Sequence, residues 1–111
     1  MDRILRLRGV ARGDRNAATS RVSVAISAAG ASIVDVHFFS GIQTVLTLTF
    51  APSDARALAT ALGDADLELD DASQELLTSA ASATTELEAT LTIVFADGDP
   101  ELRRDVPSVD G

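Results

Sequence analysis

The sequence predicts an α+β fold: two helices on one face of a four-stranded antiparallel sheet, plus an extra C-terminal strand. Three observations carry this. Runs at 3–10, 42–50 and 86–95 alternate apolar and polar residues, as half-buried strands do. Ala18, Val22, Ala25, Ile26 and Ala29 recur at helical spacing. The elements through residue 70 follow the order βαββαβ, for which a ferredoxin-like sandwich is the compact solution.

Residues 3–10 place Leu5 and Leu7 on one face and Arg6 and Arg8 on the other. Residues 11–15 form a polar turn containing Gly13. Asp14 is suited to cap the next helix, because its carboxylate accepts the free N–H groups of a first turn. That helix is expected over 15–29, with Ser20, Ser23 and Ser27 on its wet side and Val24 and Ala28 off the apolar stripe. Gly30 supplies the left-handed residue that ends it. The second strand is expected over 31–39, where Ile33, Val34, Val36, Phe38 and Phe39 make a β-rich run. Ser40-Gly41 is short enough for a hairpin turn. In the third strand, Thr44, Leu46, Leu48 and Phe50 share one face, and Gln43, Val45, Thr47 and Thr49 the other. Pro52-Ser53-Asp54 opens a second helix, with Ser53 or Asp54 as its cap. Leu58, Ala61 and Leu62 face the sheet, and Gly63 is expected to end the helix. Leu67 and Leu69 mark a short fourth strand, with Glu68 and Asp70 placed to pair with Arg6 and Arg8.

The remainder exceeds six elements. Residues 71–85, rich in Ala, Ser and Thr, read as a linker or short helix. In 86–96, Leu87, Ala89, Leu91, Ile93 and Phe95 alternate with Glu86, Glu88, Thr90, Thr92 and Val94. This is either the true fourth strand or, as preferred here, a fifth. A fifth strand is expected to pair at an edge of its own sheet or of a neighbour's. Asp97-Gly98-Asp99-Pro100 is a turn, and 97–111 reads as a loose polar tail. The division expected is therefore a βαββαβ domain at 1–70, a connecting segment at 71–85, an additional strand at 86–96 and a tail at 97–111.

A chain of 111 residues has room for one modest core. With 46% hydrophobic and 23% charged residues, it is expected to fold. Aromatics are 4%, so the core must be aliphatic with help from four Phe. A net charge of −8 opposes phosphate backbones, and nucleic acid is not an expected partner. All nine basic residues are Arg, and Lys is absent. The absence of cysteine excludes disulfides, thiolate metal sites and cysteine nucleophiles. MDRILRLRGV lacks the apolar block of a signal peptide, and no stretch approaches the roughly 18 apolar residues of a membrane span. A cytoplasmic protein without membrane contact is expected.

Chemistry-bearing residues are few. His37 is the only histidine and has no second nitrogen or sulfur ligand for zinc. Asp35 shares its strand face, a thin basis for general-base catalysis. Asp64, Asp66, Asp70 and Asp71 lack the spacing of a calcium loop and read as a solvated edge. Gly9 and Gly13 are not followed by the Gly or Lys of a phosphate loop. No catalytic residue, metal or cofactor is assigned, and an enzyme is not expected.

One resemblance adds to this. The turn Asp14-Arg15-Asn16-Ala17, the helix after it, and the strand start Gly30-Ala31-Ser32-Ile33-Val34-Asp35-Val36 resemble the ACT domain, a small regulatory module of amino-acid metabolism. That family commonly shows Asp-Arg-Pro-Gly at the turn and Gly-x-Asn-Ile at the strand start. The pattern is also similar to the N-terminal ACT region of actinobacterial-type phosphoserine phosphatases, where a second ACT repeat follows. The resemblance implies a ferredoxin-like sheet and an amino-acid-type effector held at a subunit interface. Asn16, Ala17 and Ala18 would offer N–H groups to its carboxylate, Asp14 would meet its ammonium, and Ser32 and Ile33 would come from a neighbouring subunit. Asn16, Ala17 and Ser32 stand where the family has Pro, Gly and Asn. Two readings follow: an effector-binding regulatory domain acting through a homodimer or higher homo-oligomer, or an ACT-like association module without ligand binding. The second draws on Ala17, the spare strand and the exposed apolar positions Val24 and Val45.

Overall fold

A computed structural model describes residues 4–40 and 43–96. The order is β1 (Ile4–Ala11), α1 (Arg15–Ala28), β2 (Ser32–Ser40), β3 (Gln43–Phe50), a 3-10 turn (Pro52–Asp54), α2 (Ala55–Asp64), β4 (Glu68–Leu69), α3 (Asp71–Ala80) and β5 (Leu87–Phe95). The expected Ser40-Gly41 turn falls partly, and the 97–111 tail wholly, outside the described residues.

The five strands form one sheet in the order β2-β3-β5-β1-β4. β5 runs parallel to β1, from Ile4 opposite Glu88 to Ala11 opposite Phe95. On its other side it runs antiparallel to β3, from Gln43 opposite Val94 to Phe50 opposite Leu87. Two expectations are corrected here. The sheet is mixed rather than antiparallel, and the extra strand lies at the centre rather than at an edge. The physical reason is the composition of β5. From Ala89 to Phe95 it carries no charge, and its apolar face is fully buried, so its backbone is best satisfied by partners on both sides. A third helix, α3, also fills most of the 71–85 segment; two had been expected to cover the sheet.

One face of the sheet carries the core. Leu5, Leu7 and Ala11 of β1, Leu46, Leu48 and Phe50 of β3, and Ala89, Leu91, Ile93 and Phe95 of β5 are buried. They form one cluster with Ala18, Val22 and Ile26 of α1, Ala55, Leu58 and Leu62 of α2, and Leu77 and Ala80 of α3. Residues of the opposite parity, including Arg6, Arg8, Thr47, Thr49, Thr90 and Thr92, are exposed or half-buried. The mixed class thus rests on one helical layer over one sheet face.

The first two helices end alike. Gly30 at φ +97° lets the Ala31 N–H reach Ile26 O at 3.1 Å, while Gly30 N–H donates to Ser27 O. Buried Ala31 comes over Ile26, the hydrophobic contact that accompanies this closure. α2 does not stop at Gly63. It continues to Asp64, and Asp66 at φ 66° takes the left-handed position, so that Leu67 N–H donates to Leu62 O at 3.1 Å. An aspartate tolerates this conformation better than most residues. Burying Leu67 decides which residue turns, and Gly63 is spared that role. Arg21 Nε donates to Ala65 O at 3.2 Å, placing a cation at the C-terminal end of α2.

β4 has only two residues, and the first turn of α3 extends the cover of the β1 edge as far as Arg8. Asp70 N–H donates to Arg8 O at 3.1 Å, and Arg8 N–H donates to Ser73 Oγ at 2.7 Å. Asp70 caps α3, accepting from Ser73 N–H at 2.8 Å. Hydrogen bonds from the Ser73 hydroxyl and N–H, with the Arg8 charge nearby, hold the Asp70 carboxyl below its ordinary value of 3.8. The expected charge pairing of Glu68 and Asp70 with Arg6 and Arg8 does not form: Asp70 meets Arg8 through the backbone and caps α3 instead, and Glu68 stands opposite Val10.

Two outcomes test this packing. A Cβ built on Gly9 would lie 2.8 Å from Leu67 Cγ and 3.2 Å from Glu68 O. Gly9→Ala is therefore expected to lower unfolding free energy by about 1–3 kcal/mol in urea titrations, by overpacking the β1–β4 junction. For Asp70 the folded carboxyl titrates below the unfolded one. Its contribution is present above the unfolded value and is lost as pH falls through the folded value. Asp70→Ala should be less stable than the parent at pH 7, and the gap should narrow in acid.

Candidate functional site

The residues singled out for effector binding divide between the two ends of α1. Asp14 sits in an extended conformation before the helix, and its Oδ2 accepts from Ala17 N–H at 2.9 Å. Its carbonyl accepts from Ala18 N–H at 2.9 Å. The carboxylate therefore satisfies one first-turn N–H and the carbonyl another, as at a helix cap. Asn16 and Ala17 are exposed, while Ala18 is fully buried against the sheet and cannot face a ligand. Ser32 is exposed at the start of β2, and Ile33 packs on the core. α1 has 14 residues, so its ends are roughly 20 Å apart at about 1.5 Å per residue. One chain does not bring the two groups together. The open cleft beside Gly13, about 790 Å³, is lined by Arg12, Arg21, Asp66, Leu67 and Glu68 and includes none of the six.

The second surface is β2 itself, the outer strand on the side away from β4. Register shifts set Val34 and Phe39 out of the ladder as bulges and leave Asp35–Phe38 regular between them. Val36 lies opposite Leu46 and Phe38 opposite Thr44, so both point to the helical side. Asp35 lies opposite Thr47 and His37 opposite Val45, on the other face. Thr44 is fully buried, yet Phe38 beside it is 56% exposed; Phe39 is 62% and Val34 63% exposed. Beyond Ile33, which packs on the core, the helical layer thus leaves both faces of β2 largely uncovered.

The contacts along β2 are local. The Arg15 guanidinium stands over the Phe38 ring, 5.5 Å from its centre. The His37 and Phe39 rings are 5.3 Å apart, and His37 Nδ1 is 3.8 Å from Asp35 Oδ2. The latter two side chains share a face, and both are about two-thirds exposed, so water rather than protein surrounds them. Val24 is exposed, whereas Val45 is half-buried.

The sequence shows the apolar character of 32–39 but not its position at the outside of the sheet. The available signal is that this run is apolar at both parities, as only a strand covered on both faces normally is. Among the described residues, no three His, Cys, Asp or Glu side chains converge where a metal ion could sit. Among them, too, no helix is long and apolar enough to cross a membrane.

If Asp14 acts as a cap, Asp14→Ala should cost about 0.5–2 kcal/mol in thermal or urea unfolding, and Asp14→Ser should recover most of it. A loss that serine does not recover would assign the carboxylate another role. Compared with protein-family models, curated proteins and solved structures, the chain finds no match in any of the three.

Proposed function

We propose that the chain is an association module on an ACT-like, ferredoxin-like framework, with β2 as its working surface. The observation that carries this reading is an outer strand whose apolar side chains are exposed on both faces and whose outer edge has no strand beside it among the described residues. Such an edge templates further pairing unless it is blunted by charge, proline, bulges or covering structure, and between its two bulges β2 keeps Asp35–Phe38 regular. β2 contains no proline, and the chain contains no lysine. Support for the framework comes from the Asp14–Ala17 turn and the Gly30–Val36 strand start. The placement of β4 beside β1 and β3 beside β2 also agrees with it, with β5 inserted between the pairs.

Binding of an amino-acid-type effector is a second reading, favoured by one observation. Ser32 is exposed at the start of the outer strand. A second copy paired antiparallel there would carry its own Ser32 toward the end where α1 begins. Effector binding is therefore subordinate to association. It requires the assembled edge, and within one chain Asp14 already serves the helix.

Sedimentation equilibrium tests the proposal. The protein should be a homodimer or larger at micromolar concentration, most simply with two-fold symmetry. Val36→Lys, which sets a charge in the outer strand, should weaken the assembly tenfold or more while leaving the far-UV circular dichroism intact. A chain that is monomeric throughout the micromolar range would refute it.

A further inference from the structure

We infer that two copies of the chain join through β2 in a single register, antiparallel about a two-fold axis at Val36, so that Asp35 of each copy faces His37 of the other. The inference rests on the association reading above and specifies its partner and geometry.

The register follows from three constraints. A two-fold axis normal to the sheet keeps both helical layers on the same side. Residues opposed across the new seam must then point to the same face, because side chains alternate along a strand. The axis must therefore pass through a residue position and not between two. The second constraint is the length of regular strand. With bulges at Val34 and Phe39, only Asp35–Phe38 can enter a ladder cleanly. Centring on Asp35 or Phe38 leaves one regular pair, while centring on Val36 or His37 leaves three.

Side-chain complementarity makes the final choice. A centre at His37 sets two imidazoles opposite each other and leaves Asp35 against the bulged Phe39. A centre at Val36 sets Val36 against its own copy and both Asp35 residues against both His37 residues. Each imidazole then lies between two carboxylates, its own at 3.8 Å and the one across the seam. Nothing on β3 competes, since Val45 stands opposite His37 and Thr47 opposite Asp35, neither of them charged. The same register lays Phe38 of each copy alongside Val34 of the other, covering two of the most exposed apolar side chains in the chain. A carboxylate facing an imidazole, whose ring N–H can donate to it, acts mainly on register and specificity, so this pairing selects among alignments that apolar contact alone would leave close in energy.

The absence of native cysteine makes the register directly readable. Directly opposed residues of an antiparallel pair have Cα atoms about 4.5–5.5 Å apart, inside the roughly 4.4–6.8 Å span of a disulfide. Val36→Cys should therefore cross-link to itself under mild oxidation. Asp35→Cys and His37→Cys should each cross-link poorly alone and efficiently when mixed. As a second readout, His37→Asp should weaken dimerisation at least tenfold, and Asp35→Arg combined with His37→Asp should restore it. If the protein is dimeric but Asp35→Cys or His37→Cys links to itself while Val36→Cys does not, the register is overturned and the association reading stands. If none of the three cysteines links in a dimeric protein, β2 is not the seam. A monomeric parent overturns both.

Discussion

The structure depends on β5 having a backbone partner on each side. β1 and β3 are not hydrogen-bonded to each other; the ladders on either side of Leu87–Phe95 join them within the sheet. Ala89, Leu91, Ile93 and Phe95 supply the middle of the apolar face on which all three helices converge. The last strand in sequence is thus the structural centre. The sheet is complete only after the chain has passed through α2, β4 and α3. Contacts between β1 and β5 bridge more than eighty residues, so loop closure is costly before the central ladder rewards it.

That arrangement leaves two edges, and the chain treats them differently. On the β4 side the edge is closed. Two residues of β4, the close approach of Leu67 to Gly9, and the cap formed by Asp70 and Ser73 occupy the backbone of β1 as far as Arg8. Carboxylates at Glu68, Asp70 and Asp71 flank it. On the β2 side, among the described residues, nothing comparable stands outside the strand. Beyond Ile33 the helical layer leaves β2 largely uncovered, and Phe38 has only an arginine from α1 over its ring. One sheet therefore carries one guarded edge and one unguarded edge.

Much of this was legible because it is local. The alternation in β1, β3 and β5 and the stripe in α1 give strand, helix and inward face directly, as does the Gly30 stop. The misplaced features are non-local. Nothing in a period of two says whether a strand is central or peripheral. The hint lay in charge: β3 and the Ala89–Phe95 part of β5 are the strand stretches without a charged residue, and they lie side by side in the middle. Gly63 misled because glycine is only the cheapest left-handed residue. Which residue turns was decided by Leu67 reaching the core, and Asp66 accepted the strain. At the proposed effector site, Asp14 was legible as a cap, and the cap is what the structure shows. That Ser32 sits at the opposite end of α1 is a matter of helix direction, which follows once the helix length is known.

The charge of the whole chain bears on the open edge as well. Two copies each at −8 repel at long range, and solvent ions screen that repulsion beyond about 8–10 Å. A contact surface on such a molecule must place its acidic residues elsewhere. β2 does so. In residues 32–40 there is one carboxylate, Asp35, and the chain's only histidine stands two positions away on the same face. An apolar run at both parities, held at the outside of a sheet, conflicts with its surroundings as a free surface and agrees with them as a seam. Consistency across levels is the mark of a sequence that specifies one structure. In β2 that consistency is reached only in the proposed pairing of two chains.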